Sequence, residues 1–223
     1  IYVEERAARL IRKIGLEHFD MNVPISLYET SRALGAALRQ SWRKELHGLY
    51  FILDVDSQRR HPILSVAEAA LKGGARLLQL RAKSTDKSDL LTLSLHLRDL
   101  CERHETLFIV NDHPDIARVS NAHGYHGGQQ DLPIKAARDI LKPAQFLGRS
   151  NALLSEALDS QMEGADYIAI GDIFGSPSKQ NTRPAGLGTL RKTRDRVDTP
   201  LAAIGGINET NVAEVVQAGA DII

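Results

Sequence analysis

The sequence predicts an α/β protein of the (β/α)8 TIM-barrel class, truncated in its eighth strand and preceded by a helical extension. Three observations carry this prediction. From residue 49 onward, short apolar runs alternate with stretches of helical periodicity, the pattern of a parallel sheet covered by helices. One junction recurs, as Lys72-Gly73-Gly74-Ala75, Glu163-Gly164-Ala165-Asp166 and Ala218-Gly219-Ala220-Asp221: a helix stops on glycine and a short turn launches an apolar strand. The strands so delimited number eight, enough to close a barrel. A doubly wound open sheet is the alternative, but the glycine fingerprint expected after its first strand is absent around Asp54-Val55-Asp56.

The elements follow in order. Val3, Ala7, Leu10, Ile11 and Ile14 recur at helical spacing among charged residues, and residues 15–28 read as a connector. Thr30 or Ser31 is placed to cap a second helix carrying Leu34, Ala37, Leu38 and Trp42, which His47-Gly48 ends. Residues 1–47 are therefore read as a helical extension or the tail of a preceding domain, and 48–223 as the barrel. Strands are expected at 49–55, 75–80, 106–110, 124–126, 145–148, 166–170 and 200–204, with an eighth opening at 220–223. Helices are expected at 63–72, 86–103, 114–119, 133–141, 153–163, 187–196 and 209–218, with proline at the start of those near 114 and 133. The chain begins with Ile1 and stops inside a strand pattern, so it is read as a fragment of a longer protein.

Composition narrows the function classes. A 223-residue chain that is 43% hydrophobic and 25% charged is long enough for one large globular domain. Lys+Arg and Asp+Glu both total 28, so no global field favours nucleic acid or an acidic membrane, and phosphate binding must come from locally placed cations. The lone Cys101 falls in an amphipathic helical pattern and reads as a buried, inert thiol in a reducing, cytoplasmic setting. No apolar run is long enough to span a bilayer, and no signal peptide is visible. A homo-oligomer is left open.

The polar residues that follow the strands are the candidates for chemistry, because a parallel barrel gathers its site at the C-terminal strand ends. Gln79, Arg81 and Lys83 alternate onto one face. Arg81 offers a fork for phosphate oxygens and Lys83 a point charge; a solvated strand end is the competing reading. Asp112 follows the run Leu107–Val110 and Asn111, and Asp131 follows Gly127-Gly128-Gln129-Gln130. Each Asp can cap the next helix, but together they suit Mg²⁺, which takes one or two carboxylates, waters and phosphate oxygens. His126 ends an apolar strand and is read as a packed core histidine with no catalytic role. The long loop 174–185 carries Gly175, Ser176, Ser178, Lys179 and Arg183, which can hold an anion or simply form a flexible polar segment. Ile204-Gly205-Gly206-Ile207-Asn208 suits phosphate held by backbone amides, or a plain tight turn.

Taken in order, Gln-Leu-Arg-x-Lys at 79–83, Val-Asn-Asp at 110–112, Gly-Gln-Gln-Asp at 128–131, Gly-x-Ser at 148–150, Ser-x-x-Lys at 176–179 and Ile-Gly-Gly-Ile at 204–207 resemble the thiamine-phosphate synthase family over residues 49–223. The resemblance implies a (β/α)8 barrel. It implies a transferase that joins 4-amino-5-hydroxymethyl-2-methylpyrimidine pyrophosphate to a thiazole phosphate by dissociative substitution, releasing pyrophosphate. It implies pyrimidine-pyrophosphate contacts from Gln79, Arg81, Lys83 and Asn111, with Ser150 and Lys179 also facing the pyrophosphate. Arg81, Lys83, Ser150 and Lys179 are then the catalytic set, Asp112 and Asp131 the Mg²⁺ ligands, and Ser176 and Gly206 the contacts of the thiazole phosphate. The departures are Ser150-Asn151-Ala152, Tyr125-His126-Gly127-Gly128, Asp172 after Gly171, and the missing Val-Ser motif after strand eight. Asp172 is expected to repel an anion if it points inward. The competing classes are a thiazole tautomerase-type isomerase, which Ala152 disfavours, and a non-catalytic phosphate-binding barrel.

Overall fold

The structure is a computed structural model that describes residues 27–57, 60–175 and 183–223. It contains seven parallel strands, β1 (Tyr50–Asp54), β2 (Leu77–Arg81), β3 (Leu107–Asn111), β4 (Gly124–Gly127), β5 (Phe146–Asn151), β6 (Tyr167–Ile170) and β7 (Leu201–Ala203). They pair side by side in sequence order. The helices between and around them are α1 (Leu27–Trp42), α2 (Ile63–Lys72), α3 (Lys87–Arg103), α4 (Pro114–Val119), α5 (Ile134–Ile140), α6 (Leu154–Met162), α7 (Gly186–Arg194) and α8 (Val212–Gln217). Ile222 makes parallel bridges to both Gly48 and Ala202. Ala203 N donates to Ile222 O at 2.9 Å, and Ile223 N donates to Gly48 O at 3.0 Å. The eighth stave expected at 220–223 thus lies between β7 and the approach to β1, in the TIM-barrel arrangement.

Period-two alternation explains why the strands are apolar on both faces. Leu77, Leu107, Ile109, Phe146, Tyr167 and Ala202 point into the barrel and form one buried cluster with Leu46 and Ile222. Their neighbours Leu78, Phe108, Val110, Leu147, Ile168 and Leu201 point outward into a second cluster with the helices, where Ala67, Leu97, Ala117, Ala157 and Leu190 meet them. Each large side chain buried in this way contributes about 1.5–3 kcal/mol.

Helix α1 already contains Thr30 and Ser31, so neither caps it as expected from the sequence. The helix extends upstream because Glu29 in its first turn complements the helix dipole, and because tertiary contacts hold its body. All of these contacts lie at or below the starts of strands. Arg39 Nε pairs with Asp166 Oδ1 at 3.0 Å and its guanidinium reaches Pro143 O. Arg32 pairs with Asp139 at 3.2 Å, and in the 3-10 turn Arg43–Glu45, Glu45 pairs with Arg76 at 3.0 Å. A methyl group at Gly35 would overlap Pro143, so glycine permits this close approach. The helix therefore covers the N-terminal face of the barrel, and Leu46 fills the opening behind it. This leaves the C-terminal face for the site.

Asp166 is the centre of that docking. It accepts from Arg39, from Arg138 at 2.5 Å and from Leu147 N at 2.8 Å, with all three charged side chains 15% exposed or less. Asp166→Asn is expected to cost about 3 kcal/mol, because it leaves two largely buried guanidinium groups without their counter-charge. Arg39→Ala should cost less, since Arg138 remains. Urea unfolding of both variants measures this; equal stability of Arg39→Ala and the parent protein would remove the ion pair from the account of how α1 docks.

Candidate active site

The inward alternation of β2 continues from Leu77 through Gln79 to Arg81, and that of β3 through Ile109 to Asn111. The register sets Asp54 beside Arg81, Asn111 beside His126, and His126 beside Gly148. Arg81 forms an ion pair with Asp54, both side chains being about four-fifths covered. Lys83 is held through its backbone, whose N–H donates to Asp56 Oδ2 at 2.8 Å. That bond is the main reason the Asp56 carboxyl lies below its ordinary range. The Lys83 ammonium itself is more than half exposed and stands 4.0 Å from Asp112 Oδ2. Sequence reasoning missed Asp54 and Asp56, although their spacing after an apolar strand matches that of Arg81 and Lys83.

Asp112 and Asp131 come together. Burial and the neighbouring Asp131, through both repulsion and a shared hydrogen bond, raise the Asp112 carboxyl, while Lys83 opposes the rise. Asp112 sits at φ +62°, a left-handed conformation that costs a residue with a Cβ about 1 kcal/mol. Its N–H is anchored on His126 O at 2.9 Å. Asp131 Oδ2 accepts from Gly128 N at 2.6 Å. Neither residue caps a helix: the caps of α4 and α5 are His113 and Pro133, without side-chain bonds. Among the described residues no group of three or more His, Cys, Asp or Glu is arranged to hold a metal. The pair therefore offers two hard oxygen donors and room for other ligands, which fits a cation completed by water and phosphate.

Beneath this pair a hydrogen-bonded chain crosses the barrel interior. Gln79 Nε2 donates to Tyr50 Oη at 2.7 Å, Tyr50 Oη lies 2.9 Å from Tyr167 Oη, Tyr167 Oη lies 2.9 Å from His126 Nδ1, and His126 Nε2 lies 2.8 Å from Ser150 Oγ. The His126 and Tyr167 rings stack with centroids 5.5 Å apart. Burial raises both tyrosine hydroxyls above their ordinary range, so both keep their protons at neutral pH. His126 is packed, as expected, but it also holds Ser150. From the rim, Gln129 Nε2 donates to Ser150 O at 2.7 Å and to Asn151 Oδ1 at 3.0 Å.

The loops after β6 and β7 meet at one corner. Asp172 is buried and accepts from Gly175 N at 3.0 Å, so its carboxylate is engaged in its own turn. Gly205 and Gly206 have φ of +107° and +65°, and a methyl on Gly206 would overlap Gly175 O; only glycine fits. Asn211 Nδ2 donates to Gly206 O at 3.0 Å, and Asn208 N donates to Asn211 Oδ1 at 2.8 Å. This Asn-based turn delays α8 to Val212, three residues later than the periodicity predicts. Arg183 pairs with Glu156 Oε1 at 2.6 Å, and Glu156 Oε2 also receives Ala152 N at 2.8 Å. Ser176, Ser178 and Lys179 lie outside the described residues. A separate concavity of about 510 Å³, lined by Glu45, Arg76, Glu105 and His123, opens on the opposite face.

The family model described as thiamine monophosphate synthase matches residues 49–223. The thiamine-phosphate synthase of Methanospirillum hungatei is 42% identical over 176 residues, covering 78% of this chain and 85% of that protein. That of Nostoc sp. is 43% identical over 159 residues, 71% of this chain and 45% of the relative; the chain thus spans about half the length of this relative. Among solved structures, the thiamine phosphate pyrophosphorylase of Pyrococcus furiosus superposes with a TM-score of 0.74 at 35% identity, covering 81% of this chain and 85% of that one. The GGGPS of Thermoplasma volcanium, at 16% identity and a TM-score of 0.62, shares the fold alone. On the strength of the match over residues 49–223 and of a relative 42% identical along 85% of its length, the chain belongs to the thiamine monophosphate synthase family.

Proposed function

We propose that this protein is a thiamine-phosphate synthase, a transferase that joins 4-amino-5-hydroxymethyl-2-methylpyrimidine pyrophosphate to a thiazole phosphate and releases pyrophosphate. The observation that carries the reading is the meeting, at the C-terminal strand ends, of the Asp112–Asp131 pair with Lys83 beside it. Two carboxylates of which one, Asp112, is raised by the other, standing next to a cation, suit a metal-bound diphosphate. When bound, Mg²⁺ would be held by Asp112 and Asp131 and would supply positive charge to the pyrophosphate oxygens.

The chain's own residues do the rest. Arg81 and Lys83 bind diphosphate oxygens, Arg81 exchanging part of its Asp54 pairing for them. Asn111, Gln79 and Ser150 line the inner face that receives the pyrimidine and its leaving group, and Lys179 adds a cation from the loop after β6. The bond between the pyrimidine methylene carbon and the pyrophosphate oxygen breaks, and its electron pair leaves with pyrophosphate. The thiazole nitrogen then donates its lone pair to the methylene cation. Positive groups stabilise the charge growing on the leaving group, and exclusion of water protects the cation. The thiazole phosphate rests on Gly206 and Ser176; the left-handed glycines Gly205 and Gly206 suit an anion held by backbone amides. A tautomerase reading is weaker, because position 152 is a buried alanine with no group to move a proton. A cytoplasmic location is consistent with the buried Cys101, whose thiol burial pushes up to about 12, and with the described residues containing no helix long and apolar enough to cross a membrane.

The reading is tested by a coupling assay with both substrates, with and without Mg²⁺; product formation that ignores Mg²⁺, or no product at all, refutes it. Arg81→Lys is expected to weaken pyrimidine-pyrophosphate binding about tenfold or more, since one charge-assisted hydrogen bond is worth about 1.5–3 kcal/mol. Equal affinity by calorimetric titration would reduce Arg81 to a partner of Asp54.

Asp131→Asn gives a readout independent of turnover. The folded state raises the Asp112 carboxyl, so it binds more protons than the unfolded chain, and the repulsion is complete only above the folded-state range. In chelator at pH 8 the variant should therefore melt about 2–4 °C higher, the change that about 1 kcal/mol makes in a domain of this size. The gain should shrink as pH falls and Asp112 protonates. The same variant should lose the Mg²⁺-dependent rise in Tm that the parent protein shows with pyrophosphate present.

A further inference from the structure

We infer that Tyr167 is a positioning residue that fixes the tautomer of His126, and through it the proton that Ser150 presents to the pyrophosphate. The inference rests on the placement of Ser150 in the reaction proposed above.

Three residues stand level across neighbouring strands, with His126 beside Gly148 and Gly148 beside Tyr167 in the register. A methyl group at Gly148 would overlap the Tyr167 ring. The tyrosine therefore lies flat on bare backbone, stacked on His126 at an interplanar angle of 27°. This gives the glycine of the Gly-x-Ser segment a physical purpose: it makes room for the ring whose hydroxyl holds the histidine that holds the serine two residues on. Tyr50 packs on the other side of Tyr167, edge to face at 6.0 Å. The rings leave the Tyr167 hydroxyl between two polar neighbours, Tyr50 Oη and His126 Nδ1, each at 2.9 Å.

The chain has a preferred polarity. Gln79 Nε2 can only donate, and it donates to Tyr50 Oη. Tyr50 then donates to Tyr167, Tyr167 to His126 Nδ1, and His126 Nε2–H to Ser150 Oγ, each proton being used once. In the opposite polarity Tyr50 Oη accepts twice, and its own proton has no acceptor among the described residues, at a cost that a buried donor rarely bears. The preferred polarity leaves Ser150 Oγ accepting from the histidine, so its hydroxyl proton is available to be donated. A pyrophosphate oxygen has no proton to give, so a serine that faces it must be the donor. Tyr167 thus decides whether Ser150 meets the leaving group as a donor or spends its proton on His126.

The test is the ring ¹⁵N spectrum of His126, assigned by its disappearance in His126→Gln. In the parent protein Nε2 should be protonated and Nδ1 not. Tyr167→Phe keeps the ring and removes the hydroxyl; it should give a mixture of tautomers. It should also lower kcat about tenfold, a fraction of the loss of about 10²–10³ expected when a direct donor to developing charge is removed, while the KM for pyrimidine pyrophosphate moves much less. Tyr50→Phe, one link farther away, should shift the tautomers in the same direction and less. An Nδ1–H or doubly protonated ring in the parent overturns the inference, as does a Tyr167→Phe protein with unchanged ring shifts and kcat. Should that variant fail to fold, the parent spectrum and Tyr50→Phe still decide. The spectrum is read without turnover, so an absence of synthase activity would refute the proposed reaction and leave this test standing.

Discussion

Two carboxylates held side by side are the constraint around which this barrel's active end is organised. Burial and the neighbouring Asp131 raise the Asp112 carboxyl, so holding Asp112 ionised beside Asp131 costs the folded chain free energy. The fold keeps them together by backbone means. A left-handed Asp112 is pinned by its N–H to His126 O, and Asp131 is pinned by the N–H of Gly128. Both anchors come from β4 or the turn that follows it, so the spacing between the acids does not depend on flexible side chains. Lys83 offsets the repulsion only partly, from 4.0 Å and from solvent. Under the proposed reaction, a divalent cation bound here would convert the unrelieved repulsion into two attractions.

The acids and the interior chain share one residue. His126 offers its carbonyl oxygen to Asp112 and its ring to Tyr167 and Ser150. A displacement of β4 would therefore disturb both the carboxylate pair and the serine. Such sharing is possible because barrel interiors stack side chains in layers from alternate strands. Here an apolar lower layer, with Leu77, Leu107, Phe146 and Leu46, gives way to a polar one in which every described link is hydrogen-bonded. A polar layer buried this deep is tolerable only when its members satisfy one another. That requirement makes it a precise support for the groups above.

The sequence made some of this legible and hid the rest for identifiable reasons. Gln79, Arg81 and Asp112 stood out because they close apolar runs, and Asp131 because it closes the Gly-Gly-Gln-Gln turn after another, and strand ends face one way in a parallel barrel. The alternation of apolar runs with helical stretches placed the strands to within one to three residues, the largest miss being the end of β5 at Asn151 instead of 148. Tyr50 and Tyr167 were invisible as polar groups, because in an apolar run an aromatic ring reads as core, and only the register shows that their hydroxyls converge. Asp54 was passed over because it was weighed solely for the absence of a glycine fingerprint. Asp172, expected to repel an anion if it points inward, is buried and accepts from Gly175 N within its own turn, a local bond that no sequence pattern announces. The helix boundary at Val212 escaped because it depends on an Asn turn, which leaves no periodic signal.

The two faces of the barrel divide the work. On the N-terminal face the charges neutralise one another: Asp166 takes two arginines and Glu45 takes Arg76. The helix α1 lies over that face as a cover, with Gly35 and Leu46 shaped to fit it. On the C-terminal face the carboxylates are left in mutual repulsion, a cation is left half in water, and glycines hold left-handed turns. Each of these is a local cost. A fold of marginal stability can carry such costs only if they are offset elsewhere, and the satisfied ion cluster and packed floor at the other end are where this chain offsets them. Stability and chemistry are thus placed at opposite ends of the same strands, so that substitutions at Asp166 and at Asp131 should act on different properties despite the short distance that a strand spans.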